Sequence, residues 1–206
     1  TPKTSSAASD VYKRQQITFM KDLETLVNVR ENISANLLDG VKNRKSDFRT
    51  FTLCTTGEVP SGRTVVLRGY DATNNLLTFH TNFHAEKVEH LNSNPDVCCV
   101  FYSKSSKLQI RCFGIAKINH KNKKSESSWK KMGDISKECY FQDPLPGTPI
   151  STYNNFSKNI KIKESDFFCM VEIKLRKIDW LFLKREGHRR ANIFLNDKKE
   201  DLWVSP

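Results

Sequence analysis

The sequence predicts a mainly β fold of the α+β class: an antiparallel Greek-key barrel, closed or split, with helices at its periphery. Three observations predict it. Between residues 48 and 119, short runs of β-branched and aromatic residues alternate with turn chemistry. Similar runs return after residue 166. Helical periodicity is confined to segments before and between these runs, so modest helices link antiparallel strands.

Thr1 to Gln15 is rich in Ser, Ala and Thr without periodicity, and Ser5 to Gln15 resembles a translated sequencing adaptor. It is expected to be a disordered or non-native leader, leaving residues 16–206 as one domain. From Gln16 to Lys42, Phe19, Leu23, Leu26, Val27, Ile33, Leu37 and Leu38 recur at three- and four-residue steps, the pattern of one or two amphipathic helices, with Gly40 suited to the end. Strands are expected at about 48–55, 63–70, 76–82, 97–103 and 107–119. Asp71–Asn75 forms one hairpin connection and Ser105-Ser106 a tight one. Asn82 is expected to cap a helix running to about Asn92 that buries Val88 and Leu91, with Asn94-Pro95 stopping it. A second helical stretch covers about 123–140 around Trp129 and Met132, before the Pro-rich loop 144–149. Strands follow at about 167–176, 178–184 and 190–195.

The 206 residues fit one domain, and 13 Phe supply bulk for a core. No run approaches the roughly 18 apolar residues that cross a bilayer, and the amino terminus has no apolar signal segment. No membrane partner is expected, and the cytoplasm is the expected location. The six cysteines show no CxxC or Cys/His spacing, so no metal is expected and they read as small buried hydrophobes. The formal charge is +11, concentrated in residues 103–137, where ten Lys/Arg face only Glu126 and Asp134. Such a patch attracts nucleic acid, a membrane surface or a phosphorylated ligand, or is simply Lys on solvated faces, and no aromatics are interleaved with the lysines of 117–131, so nucleic acid is an unlikely partner.

One constellation suits an oxyanion. If Val65 opposes Thr81, Arg63 lies diagonal to Thr81, roughly 7–8 Å away, within reach of a long side chain. Lys87 falls in the first turn of the following helix, where the macrodipole disfavours a cation unless an anion is present. The bland alternative makes Arg63 and Arg68 rim residues and Lys87 solvated. Gln109 points away from its neighbours Leu108 and Ile110, toward a heterocycle or solvent. Glu186-Gly187-His188-Arg189-Arg190 forms a turn with clustered cations. Ser-His-Asp spacing, GxSxG, P-loop and GxGxxG motifs are all missing, which leaves hydrolase, NTPase and dinucleotide-fold readings without support.

Arg63-Thr-Val-Val-Leu-Arg-Gly-Tyr-Asp71, Leu77-Thr-Phe-His-Thr-Asn82, Ala85-Glu-Lys87, Asn94-Pro95 and Leu108-Gln-Ile-Arg111, in this order and spacing, resemble the flavin-binding core of the pyridoxamine 5′-phosphate oxidase-like family. The resemblance covers roughly residues 47–206. It implies a six-stranded-type split barrel, a homodimer, and FMN held at the dimer interface. By the same resemblance Arg63 and Lys87 grip the FMN phosphate with the Thr81 hydroxyl. Thr64, Val65, Val66, Leu67 and Arg68 line the flavin, His80 takes a position usually held by Tyr, and Gln109 contacts the ring. Arg190 approaches the pyrimidine end, where a cation stabilises charge arriving with hydride, and His188 sits over the substrate side.

Some positions depart from the family pattern. Glu86 stands where a second basic residue often helps the phosphate, and Glu186 where the vitamin B6 oxidases carry an Arg. Their flavin-stacking Trp falls at Leu181, with Trp180 on the opposite face. The expected function is an FMN-dependent oxidoreductase acting on a small molecule, within pyridoxal phosphate metabolism. The alternatives are a flavin-binding module without turnover and, behind it, a basic nucleic-acid binder.

Overall fold

Alternation of inward apolar and outward polar side chains closes most of this chain into a barrel. The computed structural model describes residues 23–140, 142–152, 157–158, 166–195 and 199–206. The expected leader, residues 1–15, lies outside them. Helix α1 (Leu26–Lys42) precedes a 3-10 turn (Asp47–Arg49) and strands β1 (Thr50–Thr56), β2 (Pro60–Asp71) and β3 (Leu76–Asn82). Helix α2 (Glu86–Ser93) leads to β4 (Asp96–Ser103) and β5 (Leu108–Asn119). Helices α3 (Lys123–Lys130) and α4 (Asp134–Glu138) follow, then the short strands β6 (Gln142–Asp143) and β7 (Ser157–Lys158). Strands β8 (Phe168–Phe182), β9 (Arg189–Phe194) and β10 (Leu202–Val204) complete the described chain.

The main sheet runs β10-β9-β8-β3-β2-β1-β4-β5, and β5 also pairs with β8. That pairing closes six antiparallel strands into a barrel, with β9 and β10 as an extension; β6 and β7 pair separately. The inward residues include Phe51, Leu53, Leu67, Phe79, Phe101 and Trp180, all 2% exposed or less. Helix α1 buries Val29, Ile33 and Leu37 at four-residue steps, and Asn32 Oδ1 accepts a bond from Trp180 Nε1 at 3.1 Å. Val27 and Leu38, counted in the apolar pattern, instead face solvent.

Several local expectations are corrected. Gly40 lies inside α1 and does not end it; a Cβ there would strike the Phe48 carbonyl, so close approach of the backbone demands it. Asn82 does not cap α2. Ala85 holds that position, and Asn82 Oδ1 accepts the His84 amide one turn earlier. The stretch 123–140 is two helices, interrupted before Gly133, which caps the second. The two strands expected at 167–176 and 178–184 are one. Gly114 pairs with Leu175 and Phe113 with Lys177, so Arg176 is an extra residue on β8. That bulge moves the inward set from Val171, Ile173 and Leu175 to Ile178, Trp180 and Phe182, which reads in sequence as a break. Of the cysteines, Cys99, Cys112 and Cys169 are buried, Cys54 and Cys98 half-buried, and Cys139 exposed. Among the described residues, no helix is long and apolar enough to cross a membrane.

Candidate flavin site

Strands β2 and β3 pair from Asp71↔Leu76 up to Leu67↔Phe79, and there the ladder ends. Continued, that register would set Val65 toward Thr81, as the sequence spacing supposes. Beyond Leu67↔Phe79, Pro60–Val66 keep their pairing with β1 and His80–Asn82 theirs with β8, but the two segments do not pair with each other, so β2 and β3 part toward one end of the barrel. Thr55, Arg63 and Thr81 all belong to the inward-facing set at that end, and α2 lies beside it.

The Arg63 guanidinium is held firmly there. It donates to the Thr55 hydroxyl, to Ser61 Oγ at 2.8 Å and to the Ser61 carbonyl at 3.2 Å, and lies 3.5 Å from a Glu86 carboxylate oxygen. His90 Nδ1 is 3.0 Å from the same Thr55 hydroxyl. Lys87 Nζ donates to Thr81 Oγ1 at 3.2 Å. Burial, and then the Arg63 charge, hold the Lys87 ammonium below the ordinary lysine range. Two cations that burden one another, beside hydroxyls and one exposed carboxylate, form a cradle that a phosphate would relieve.

On the outer face, Gln109, Leu181 and Arg190 are successive cross-strand partners on β5, β8 and β9. A neighbouring row is Arg111, Asp179 and Asn192. Arg190 donates to the buried Asp179 carboxylate through Nε at 3.1 Å and Nη2 at 2.8 Å. Thr64, Val66 and Arg68 lie on the outer side of β2, whereas Val65 and Leu67 enter the core, so only their backbone is available to a ligand. Arg68 is the extra residue of the β2 bulge, and alternation from inward Leu67 keeps it on the outer side. His80 packs edge-on against Phe168 at 5.0 Å, with its Nδ1 buried and unpartnered, and burial followed by the Arg68 charge lowers its pKa to about 4.

His188 is exposed, and its Nδ1 accepts the Lys184 amide at 3.2 Å. With Arg190, Trp203 and Glu24 it lines a cavity of about 380 Å³. Glu186 projects from the exposed turn. The structure thus brings Arg63, Thr81 and Lys87 to one place, Gln109 and Arg190 to a second, and His188 beside Arg190. Sequence reasoning missed Thr55, His90, Arg111 and Asp179. Arg111 stood in the quoted Leu108-Gln-Ile-Arg111 motif without a role, and Asp179 left a trace as a carboxylate inside the apolar run Ile178–Phe182.

The residues fit FMN: cations and hydroxyls at the parted strands for its phosphate, and polar groups with unpartnered buried atoms, His80 Nδ1, Arg111 Nε and Asn192 Oδ1, on the outer faces of β3, β5 and β9. Among the described residues, no group of three or more His, Cys, Asp or Glu forms a metal cluster.

Fold and site together define a six-stranded split barrel with a cluster of two cations and two hydroxyls at one end. Residues 30–120 match the family described as pyridoxamine 5′-phosphate oxidase, FMN-binding domain. The chain is 23% identical over 157 residues to pyridoxine/pyridoxamine 5′-phosphate oxidase 2 of Arabidopsis thaliana, covering 71% of this chain and 78% of that protein. It is 33% identical over 88 residues to pyridoxine-5′-phosphate oxidase of Bos taurus, covering 43% of this chain and 28% of the bovine one. A pyridoxamine 5′-phosphate oxidase-related, FMN-binding protein of Nostoc punctiforme shares the fold, with a TM-score of 0.71 at 22% identity over 85% of this chain and 96% of that one. PhzG of Burkholderia lata, solved with tetrahydrophenazine-1-carboxylic acid, does so with a TM-score of 0.69 at 11% identity over 91% and 96%.

Proposed function

We propose that the protein is an FMN-dependent oxidoreductase that removes hydride from a small amine or alcohol of the pyridoxamine or pyridoxine 5′-phosphate type. The convergence of Arg63, Lys87 and Thr81 where β2 and β3 part carries the reading. FMN held by these residues would supply the hydride acceptor, with oxygen as the final oxidant. Arg63 and Lys87 hold the phosphate and Thr81 adds a hydroxyl. Thr64, Val66 and Arg68, with the backbone at Val65 and Leu67, line the flavin beside His80. Gln109 orients the ring, Arg190 stabilises incoming negative charge, and His188 faces the substrate from the cavity wall.

The reading includes a homodimer with the outer barrel face as its interface. In support, that face carries half-buried Val66, Val100, Phe113 and Leu181, more apolar surface than a solvated barrel wall needs. It also includes a cytoplasmic location and a place in pyridoxal phosphate metabolism; six free thiols suit a reducing compartment. A second reading, flavin binding without turnover, is favoured by Glu186, an acid in the turn where related oxidases carry a substrate-contacting Arg.

An absorption spectrum of the purified protein comes first: a yellow protein releasing FMN on denaturation is expected. Arg63→Ala with Lys87→Ala should abolish FMN retention while the barrel stays folded; unchanged affinity would place the phosphate elsewhere. Peroxide release with pyridoxamine 5′-phosphate separates the two readings, since a binding module releases none.

A further inference from the structure

Asp179 sits in the middle of β8 between Ile178 and Trp180, both of which enter the core, so alternation turns its carboxylate to the outer face. Its residue is only 3% exposed. An isolated carboxylate at that depth would be costly, yet this one is doubly paired. Arg190 grips both oxygens, Nε to Oδ1 at 3.1 Å and Nη2 to Oδ2 at 2.8 Å, and Arg111 Nη2 reaches Oδ2 at 2.5 Å. Arg111 comes from β5 and Arg190 from β9, so one carboxylate ties together the strands on either side of its own. Two guanidiniums and one carboxylate leave a single net positive charge on this face. Beside them, Arg111 Nε and Asn192 Oδ1 are buried without partners.

We infer that Asp179 is a positioning residue for the flavin side of the site, holding Arg190 and Arg111 in place and offsetting one of their two charges. This rests on the proposed placing of the flavin ring beside Gln109 and Arg190. A two-electron reduction adds negative charge to the ring, so the net charge of the Arg111–Asp179–Arg190 group sets how strongly reduced flavin is preferred over oxidised. A purely structural ion pair would hold strands together and leave that preference untouched.

The test is the midpoint potential of bound FMN in the FMN-loaded protein. Asp179→Asn keeps the shape and one acceptor for Arg190 while removing the charge. Its potential should rise by at least about 30 mV, a tenfold gain in preference for reduced over oxidised FMN. Asp179→Glu should restore the wild-type value, and Arg190→Gln should lower it. An unchanged or lower potential in folded, loaded Asp179→Asn overturns the inference. If that variant does not fold, loaded Asp179→Ser decides: a raised potential supports the inference and an unchanged or lower one overturns it. A wild-type protein that takes up no FMN is a different failure, which removes the flavin reading itself and this inference with it.

Discussion

Arg63 Nη2 lies 3.5 Å from the carboxylate of Glu86, a side chain that is 70% exposed at the edge of the proposed phosphate cradle. An anion entering that cradle meets a residue of its own sign. The pair is solvent-screened on the Glu86 side, so its worth is under about 1 kcal/mol.

Replacing Glu86 with Gln should therefore tighten FMN binding about two- to fivefold, the scale set by exposed ion pairs. Titration of flavin fluorescence against apoprotein measures it. Equal or weaker affinity in Glu86→Gln would show that the carboxylate does not oppose the ligand.

Lys87 carries the pH dependence of the same cradle. Its pKa is held down by burial and then by Arg63, so the fold disfavours the ammonium, a cost present below the lowered pKa and gone once pH exceeds the ordinary lysine value. A bound dianion favours the charged form. FMN affinity is thus expected to fall with rising pH already below about 10.4, the ordinary lysine value. Lys87→Met should bind weakly and lose that limb of the profile; a limb that persists in the variant assigns it to another group.

His80 should make the fold acid-sensitive. Its pKa drops from 6.5 to about 4 through burial and the Arg68 charge, so the neutral ring is the form the fold accepts. Stability is lost as pH falls from about 6.5, and the loss is complete below about 4, reaching roughly 3 kcal/mol. Urea unfolding of wild type and His80→Phe from pH 7 to 4 tests this: the variant should lose less, and identical losses would clear His80 of the effect.

Gly114 lies at the β5–β8 bulge, where a Cβ would come within 2.5 Å of the Lys174 carbonyl oxygen and 2.9 Å of Ile173 Cγ2. Alanine would improve strand propensity by less than about 1 kcal/mol, whereas forcing atoms into a packed wall costs about 1–3 kcal/mol. Gly114→Ala should lower the melting temperature in a circular-dichroism melt, and a rise would show that the wall yields there.

Strand positions were legible because period-two alternation is a local property: the expected runs at 76–82 and 97–103 match β3 and β4 to within one residue. The β8 bulge was illegible because one extra residue at Arg176 inverts the alternation, and inversion looks like an ending. Asn82 was misread for a related reason. An Asn side chain serves an Asx turn as well as a helix cap, and which amide it meets depends on the path of the following chain.

Residue order alone settled the alternating strands and the amphipathic first helix, and it singled out Arg63, Thr81 and Lys87 as candidates for one site, since each depends on neighbours a few positions apart. Barrel closure through β5 and β8, the parting of β2 from β3, and the gathering of Arg111 and Arg190 on Asp179 emerged only in three dimensions. Those features join positions as distant in sequence as Leu108 and Phe182, where no periodicity carries information and packing together with the pairing of buried charge selects the partners.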